Sequence, residues 1–244
     1  MQSSSLPISR NVWRILLLVA VSVALLSPTS ALSSTGSAIA RVVDPGVCAG
    51  VTGCHVKARA DVNGDGSADV IGIARRGESG APSGAVIVRV QVGPQRIASF
   101  RARTEFWSGP VWQGVARLGG GSGKEIMVGH TMGAHAQFYL ALTWRHGQLV
   151  PFDAPGRGRT WYIDGAVWIS AGWLRLPNDP AGKIYRRVAI RVGDATQSRF
   201  KGKVTTFRWA HGRWNRHGTR TIFPLPDKRA FSWGGFRVPG LNRW

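Results

Sequence analysis

Short segments in which apolar and polar residues alternate recur along the chain. One of them, Ala85-Val-Ile-Val-Arg-Val-Gln-Val92, runs directly into Gly-Pro, and the others are also bounded by Gly, Pro, Asn or Asp. A period of two places successive side chains on opposite faces of a β-strand, and the bounding residues favour turns. No segment beyond Arg41 shows helical periodicity over ten residues. The sequence therefore predicts an all-β fold, with further strands at 70–74, 125–129, 137–144, 187–192 and 203–209.

A weak internal repeat groups these strands into units of nearly 60 residues. The segment Asp61–Ile71 aligns without gaps on Arg117–Met127, and Arg175–Lys183 begins similarly, at offsets of 56 and 58 residues. Trp144-Arg-His-Gly147 also matches Trp209-Ala-His-Gly212. Chance similarity of Gly-rich loops is the alternative explanation. The repeat predicts a single β domain at 45–244, with units at 57–112, 113–170 and 171–218 and a C-terminal tail at 219–244.

The first 31 residues have the pattern of a secretory signal peptide. Arg10 and Arg14 precede the apolar run Ile15–Leu26, and small residues at 29–31 or 38–40 offer cleavage sites. The run is shorter than the roughly 20 apolar residues that span a bilayer. Cleavage as late as residue 40, or retention as an anchor, are the alternatives. We expect a signal helix at 1–31, a linker at 32–44 and a secreted or extracytoplasmic protein without a stable membrane span after cleavage.

The chain has two cysteines, Cys48 and Cys54. An exported protein meets an oxidising environment, so these residues are expected to form a disulfide that closes a short loop. Two free thiols are the alternative.

The segment Asp61-Val-Asn-Gly-Asp-Gly-Ser-Ala-Asp69 concentrates oxygen donors within nine residues of a basic chain. A glycine at loop position 6 permits a sharp turn, and this spacing wraps a chain around one calcium ion. Gly72 stands where an EF-hand carries a bidentate Glu, so the loop is not an EF-hand. The alternative is a metal-free Asx turn between strands. The predicted ligands of one Ca²⁺ are Asp61, Asn63, Asp65, the Ser67 carbonyl and Asp69.

The segment Ala60–Gly72 resembles the FG-GAP/VCBS-type repeat. Met127–His135 and Trp161–Gly165 are similar to a group of small exported proteins of high-GC Gram-positive bacteria that carry such repeats. The resemblance implies a β-propeller-like fold and calcium ligands at the same five residues, but no activity. Arg117 and Arg175 depart from the ligand pattern in the later units, so a single ion is expected.

The resemblance leaves the closure of the array open. Closed propellers use about four to eight blades, and this chain offers three recognisable units. A divergent fourth blade built from the tail and residues 41–59 is one arrangement, and an open or compact sandwich-like assembly is the other. We expect a propeller-like array of about three or four small antiparallel sheets.

The formal net charge of +20 favours association with polyanions. An anionic envelope polymer or a glycan is the favoured partner class, and nucleic acid is the least favoured. Sugars stack on exposed indoles, and four tryptophans near turns are the predicted contacts, although filling a core is the alternative role. They are Trp107, Trp112, Trp161 and Trp233.

Motifs for catalysis are weak. Gly119–Lys124 lacks the first Gly and the final Ser or Thr of a phosphate loop, and His130 and His135 are interpreted as structural rather than as zinc ligands. A hydrolase would have to assemble distant carboxylates such as Glu105, Glu125, Asp153 and Asp164. We therefore expect a non-enzymatic, calcium-stabilised β-repeat protein with a binding or structural role at the envelope or outside the cell. An anionic-polymer or glycan binder and an envelope polysaccharide hydrolase are the alternatives.

Overall fold

The computed structural model describes residues 46–119, 121–156, 159–179, 182–194 and 199–243. The predicted signal peptide and linker lie outside these residues. Within the described ranges the chain forms fourteen β-strands and one short α-helix, which confirms the all-β class. No helix in this part of the chain has the length and apolarity that crossing a bilayer requires.

The first four strands form an antiparallel sheet in which each strand pairs with the next along the chain. Alternation explains how this first meander packs. Val86, Val88 and Val90 on β3 are fully buried, whereas Ile87 and Arg89 between them are partly exposed. The strands are β1 (Cys54–Ala60), β2 (Asp69–Arg76), β3 (Gly84–Val92) and β4 (Arg96–Thr104).

The next nine strands make two further four-stranded meanders and one strand, β9 (Trp161–Gly165), that links them into a single sheet. This strand pairs with both β7 and β10. The sheet has ten strands within the described residues, and its strand order does not close on itself. The second meander contains β5 (Trp112–Ala116), β6 (Glu125–Met132), β7 (Ala136–Arg145) and β8 (Gln148–Phe152), and the third contains β10 (Ile169–Leu174), β11 (Lys183–Arg191), β12 (Arg199–Ala210) and β13 (Arg213–Pro226).

The C-terminal segment returns to the third meander. The helix α1 (Asp227–Phe231) leads to β14 (Gly235–Arg237), which pairs in parallel with β10. Trp233 and Phe236 are buried, whereas Phe231 remains exposed. Because β13 continues to Pro226, the predicted boundary between the third unit and the tail at residue 218 falls inside a strand.

Two matching turns close matching hairpins in the second and third meanders. His146-Gly147 connects β7 to β8, and His211-Gly212 connects β12 to β13. All four residues have positive φ, the backbone conformation of a two-residue type I′ hairpin turn. The sequence match between these segments therefore reflects a shared backbone geometry.

The predicted disulfide between Cys48 and Cys54 is confirmed. It packs against Gly72 on β2, where a Cβ atom would lie 3.0 Å from each sulfur. The bond thus ties the segment before β1 to the face of the first meander.

The main core contains buried side chains from all three meanders. At its centre Trp161 is fully buried, with ring centroids 4.8 Å from Trp173 and 6.5 Å from Phe152. Its indole N–H donates to the Phe152 carbonyl at 3.1 Å. The aromatic cluster on β9 therefore joins the second and third meanders through packing as well as strand pairing.

The docking of the tail can be tested at Gly172 on β10. A Cβ atom there would lie 2.2 Å from the Gly235 carbonyl oxygen and 2.3 Å from that of Trp233. We expect Gly172→Ala to lower the free energy of unfolding by about 1–3 kcal/mol, because the tail backbone must move away. Urea unfolding measures the effect. Gly218→Ala is the matched control, since its Cβ would meet no atom within 4 Å, and equal stability of the two variants would contradict this packing.

Candidate functional site

The predicted calcium loop is organised by its own side-chain oxygens. The Asp61 carboxylate accepts hydrogen bonds from the N–H groups of Gly64 and Gly66, at 2.6 and 3.0 Å. Asp65 accepts from the Asn63 side-chain amide and the Ser67 N–H, both at 2.7 Å, and these two bonds lower the pKa of Asp65. The loop is therefore held by side-chain to backbone hydrogen bonds, which include Asx turns at Asn63 and Asp65.

The last predicted ligand, Asp69, lies at the start of β2 and is buried. One of its oxygens accepts the N–H groups of Val62 and Asn63, at 2.8 and 3.2 Å. Burial raises the pKa of Asp69, and these hydrogen bonds oppose the rise. We call this arrangement, one buried carboxylate that accepts two consecutive backbone N–H groups, a carboxylate latch.

A second carboxylate latch occurs at the aligned position of the second unit. Glu125 at the start of β6 is buried, and one of its oxygens accepts the N–H groups of Leu118 and Gly119 at 2.7 and 3.4 Å. Glu125 stands where the repeat alignment places Asp69. The shared hydrogen-bond pattern supports the alignment of these two units.

The latched loops pack against each other. The N–H of Lys124 donates to the Asp61 carbonyl at 2.9 Å. Gly123 allows this contact, because a Cβ atom there would lie 2.1 Å from the Val62 carbonyl oxygen. The third loop joins the row through Arg175, whose guanidinium donates to the Leu118 carbonyl at 3.2 Å. These contacts join the loop before β2 to the loop before β6, and that loop to the segment after β10.

The donor set of the first loop fits a hard cation. Its carboxylate, amide and carbonyl oxygens are the ligand types that calcium prefers. Within the described ranges, however, no three His, Cys, Asp or Glu side chains form a metal-binding group. Calcium binding by Asp61, Asn63, Asp65, Ser67 and Asp69 therefore stays a prediction.

A large cleft of about 1280 Å³ lies on one face of the third meander. The floor of the cleft consists of alternate side chains of β11 and β12, which point to the same face of the sheet. On β11 the even-numbered side chains Arg186, Val188 and Ile190 line the cleft, and on β12 the odd-numbered residues from Lys201 to Trp209 do so. The antiparallel register sets Lys201 opposite Ile190, and Lys203 opposite Val188.

The charge of the cleft is strongly unbalanced. Among the described residues that line it there are seven Arg or Lys residues and a single carboxylate residue, Asp153. Cations gathered in a cleft focus a positive potential that attracts anions. The seven are Arg145, Arg159, Arg186, Lys201, Lys203, Arg213 and Arg216.

Aromatic rings form one wall of the cleft. Trp209 and Trp214 lie 5.3 Å apart with their planes at 76°, and both pack against Phe152. The Trp214 indole N–H donates to the Asp153 carbonyl at 2.8 Å, which joins the loop after β8 to β13. The guanidinium of Arg145 lies 5.4 Å from the Trp209 ring centroid. Apolar rings and cations therefore share one surface.

The four tryptophans predicted as ligand contacts lie elsewhere. Trp107, Trp161 and Trp233 are buried, with 3%, 0% and 5% exposure, so they are core side chains rather than exposed platforms. Trp112 is partly exposed but does not line the cleft. Packing against Phe152, Trp173 and Trp214 explains the burial of Trp161 despite its turn-like neighbours.

The remaining candidates for chemistry are engaged in structural contacts. His130 Nδ1 lies 2.7 Å from the Arg103 carbonyl, and His135 Nδ1 lies 2.9 Å from a carboxylate oxygen of Asp164. Glu105 forms an ion pair with Arg103 at 3.3 Å. Of the four carboxylates considered for a hydrolase, Asp153 alone lines the cleft, whereas glycosidases need a pair about 5–10 Å apart.

The sequence reasoning missed the cleft, although a signal for it is present. Lys203 begins the predicted strand 203–209, Lys201 extends its alternation by one step, and the face continues through Phe207 and Trp209. A face that carries cations and then aromatic rings at period two predicts a charged, partly apolar surface.

Comparison with known proteins gives no match to a family model, to a curated protein or to a solved structure. The resemblance to FG-GAP/VCBS repeats accordingly remains a prediction. The function is argued from the geometry of the loops and the cleft.

The second carboxylate latch can be tested by substitution. Glu125→Ala leaves two buried N–H groups without their acceptor, and we expect it to lower the free energy of unfolding by about 2–3 kcal/mol. Glu125→Gln keeps an acceptor oxygen and should cost about 1 kcal/mol. Urea unfolding measures both values, and equal losses would argue against the latch.

The same residue predicts a pH dependence. Burial raises the pKa of Glu125, so folding favours its protonated form. The stability of the native chain relative to Glu125→Gln should be greatest at acidic pH and fall as pH rises from the ordinary carboxyl range through the raised pKa. Urea unfolding of both proteins at several pH values measures this difference. A difference that is constant with pH would contradict the assignment.

Proposed function

We propose that this chain is an exported, non-enzymatic β-repeat protein that binds an anionic polymer in the cleft of the third meander. The polymer belongs to the cell envelope or to the space outside the cell. The observation that carries the proposal is the cleft itself, whose described lining has seven cationic residues, a single carboxylate residue and two tryptophans.

The dimensions and composition of the cleft support a polymer over a small anion. The cationic side chains come from β7, β11, β12, β13 and the loop after β8, so they cover an extended face. Ile190 is 54% exposed on this face, which offers apolar surface between the charges. A chain with regularly spaced anionic groups and apolar ring faces matches both features.

Calcium has a structural part in this proposal. The three carboxylates of the first loop lie within nine residues and repel one another, and a bound cation would relieve that repulsion. In the proposed arrangement the three meanders are the units of a propeller-like array, and the ion stiffens the row of loops that joins them.

The binding site can be tested by removing two cations from the floor of the cleft. We expect Lys201→Gln with Lys203→Gln to weaken binding to an anionic polysaccharide such as polygalacturonate about tenfold. It should also reduce the slope of log affinity against log salt by about two. Affinity measured by biolayer interferometry at several salt concentrations gives both values.

The matched control removes two exposed cations from β1, with Lys57→Gln and Arg59→Gln. It changes the net charge equally but leaves the cleft intact. Equal weakening by both double variants would show that binding follows net charge, and would count against a site in the cleft.

The proposed calcium site predicts a shift in thermal stability. We expect calcium at about 10 mM to raise the melting temperature by about 5 °C, since the ion binds the folded loop. Asp61→Ala with Asp65→Ala should abolish the shift in differential scanning fluorimetry. Glu78→Ala with Asp153→Ala, which removes two exposed carboxylates elsewhere, should retain it. An unchanged melting temperature of the native chain in calcium would refute this site.

A further inference from the structure

Arg186 on β11 stands between the cleft and a smaller side pocket, and it lines both. The side pocket has a volume of about 250 Å³, room for one sugar residue rather than a length of chain. Its walls include the rings of Phe138, Tyr162 and Trp173 together with Thr160. The pocket therefore combines apolar ring faces, a hydroxyl and one cation.

No carboxylate among the described residues balances the charge of Arg186. Within the described ranges its guanidinium forms no ion pair, and its Nε is buried without a hydrogen-bond partner. The guanidinium lies 5.6 Å from the Tyr162 ring centroid and 5.7 Å from that of Trp173. Burial lowers the pKa of Arg186, which shows that the charged form is held at a cost.

The two buried arginines of β11, Arg187 and Arg191, serve the fold. Arg191 forms an ion pair with Asp227 at 3.1 Å and donates to the Val167 carbonyl at 3.0 Å. Arg187 donates to the Trp233 carbonyl at 3.4 Å. These contacts anchor the tail on the third meander. Arg186 has no such contact with the residues that the structure describes, and it lines the two cavities instead.

We infer that Arg186 and the side pocket form a subsite for one sugar residue that carries an oxyanion, within the anionic polymer bound by the cleft. The fork of the guanidinium matches a carboxylate or a phosphate, which it binds with two hydrogen bonds. The partly exposed rings of Phe138 and Tyr162 contact the apolar face of the sugar, whereas Trp173 is buried behind them. This inference rests on the proposed function and specifies the ligand as an anionic glycan.

The geometry of the cleft favours a glycan over single-stranded nucleic acid. Proteins that bind single strands present aromatic faces on which successive bases stack. Trp209 and Trp214 cross at 76°, so the edge of one ring covers a face of the other and the two rings do not offer parallel stacking faces. The side pocket offers a single recess rather than a series of stacking faces. A discrete anionic sugar is therefore the occupant that fits this geometry.

The test compares Arg186→Gln and Arg186→Lys with Lys203→Gln, which removes one charge from the open floor of the cleft. Four anionic polymers distinguish the chemical groups that the subsite could recognise. Polygalacturonate carries carboxylates on sugars, phosphomannan carries phosphates on sugars, polyphosphate carries charge without rings, and oligo(dT) represents single-stranded nucleic acid. Affinities are measured at one fixed salt concentration, with Arg59→Gln as the control outside the cleft.

On at least one of the two glycans we expect both Arg186 variants to lose about tenfold more affinity than Lys203→Gln, because a lysine cannot reproduce the two-pronged contact. The glycan with the larger loss identifies the oxyanion as carboxylate or phosphate. On polyphosphate, Arg186→Gln and Lys203→Gln each remove one positive charge and should lose affinity equally. The melting temperature of Arg186→Gln should not fall, since a partly buried cation without an ion pair among the described residues is removed.

Several results would overturn the subsite. Equal losses for Arg186→Gln and Lys203→Gln on both glycans would do so while leaving the general cleft proposal standing. A fall in melting temperature without a selective loss of binding would make Arg186 a structural residue. A selective loss on oligo(dT) alone would assign the subsite to nucleic acid. Failure of the native chain to bind any of the four probes would overturn the proposed function as well.

Discussion

A buried carboxylate that accepts two consecutive backbone N–H groups holds the entrance to β2 and, one unit later, the entrance to β6. A buried N–H group without an acceptor would cost about 1–3 kcal/mol, so each latch fixes the path of its loop. The latched loops then lie against each other through the contact between Lys124 and Asp61. Because Arg175 extends the row from the third unit to the second, a local hydrogen-bond pattern becomes a connection between all three meanders.

The same use of carboxylates shapes the electrostatics of the surface. The chain has 12 acidic residues against 32 Lys and Arg residues. Asp61, Asp65, Asp69 and Glu125 are engaged by N–H groups of their own loops, and Asp164 is engaged by His135 and Tyr162. Few carboxylates remain to balance the face of β11, β12 and β13. The cleft therefore keeps an excess of positive charge. Arg186 is the least exposed of the described cations that line it.

Much of the fold follows from local sequence patterns. Alternation predicted β3 and β7 to within one residue at each end, at 85–92 against Gly84–Val92 and at 137–144 against Ala136–Arg145. The repeat alignment pairs Asp69 with Glu125, and these are the two residues that form the carboxylate latches. Three of the four tryptophans predicted as ligand contacts are buried, because the burial of an indole depends on which strands pack over it. One wall of the cleft forms where Trp214 lies beside Asp153. These residues are distant in the sequence, so local patterns do not encode their contact.

The central claim is that an anionic glycan binds in the cleft of the third meander, and NMR mapping of the indole N–H signals tests it most directly. Titration with an oligogalacturonate should shift the signals of Trp209 and Trp214, which line the cleft, and of Trp173, which borders the side pocket. The signals of Trp107 and Trp112, which lie elsewhere, should stay in place. Shifts confined to Trp107 and Trp112, or no shift at any indole, would contradict the account.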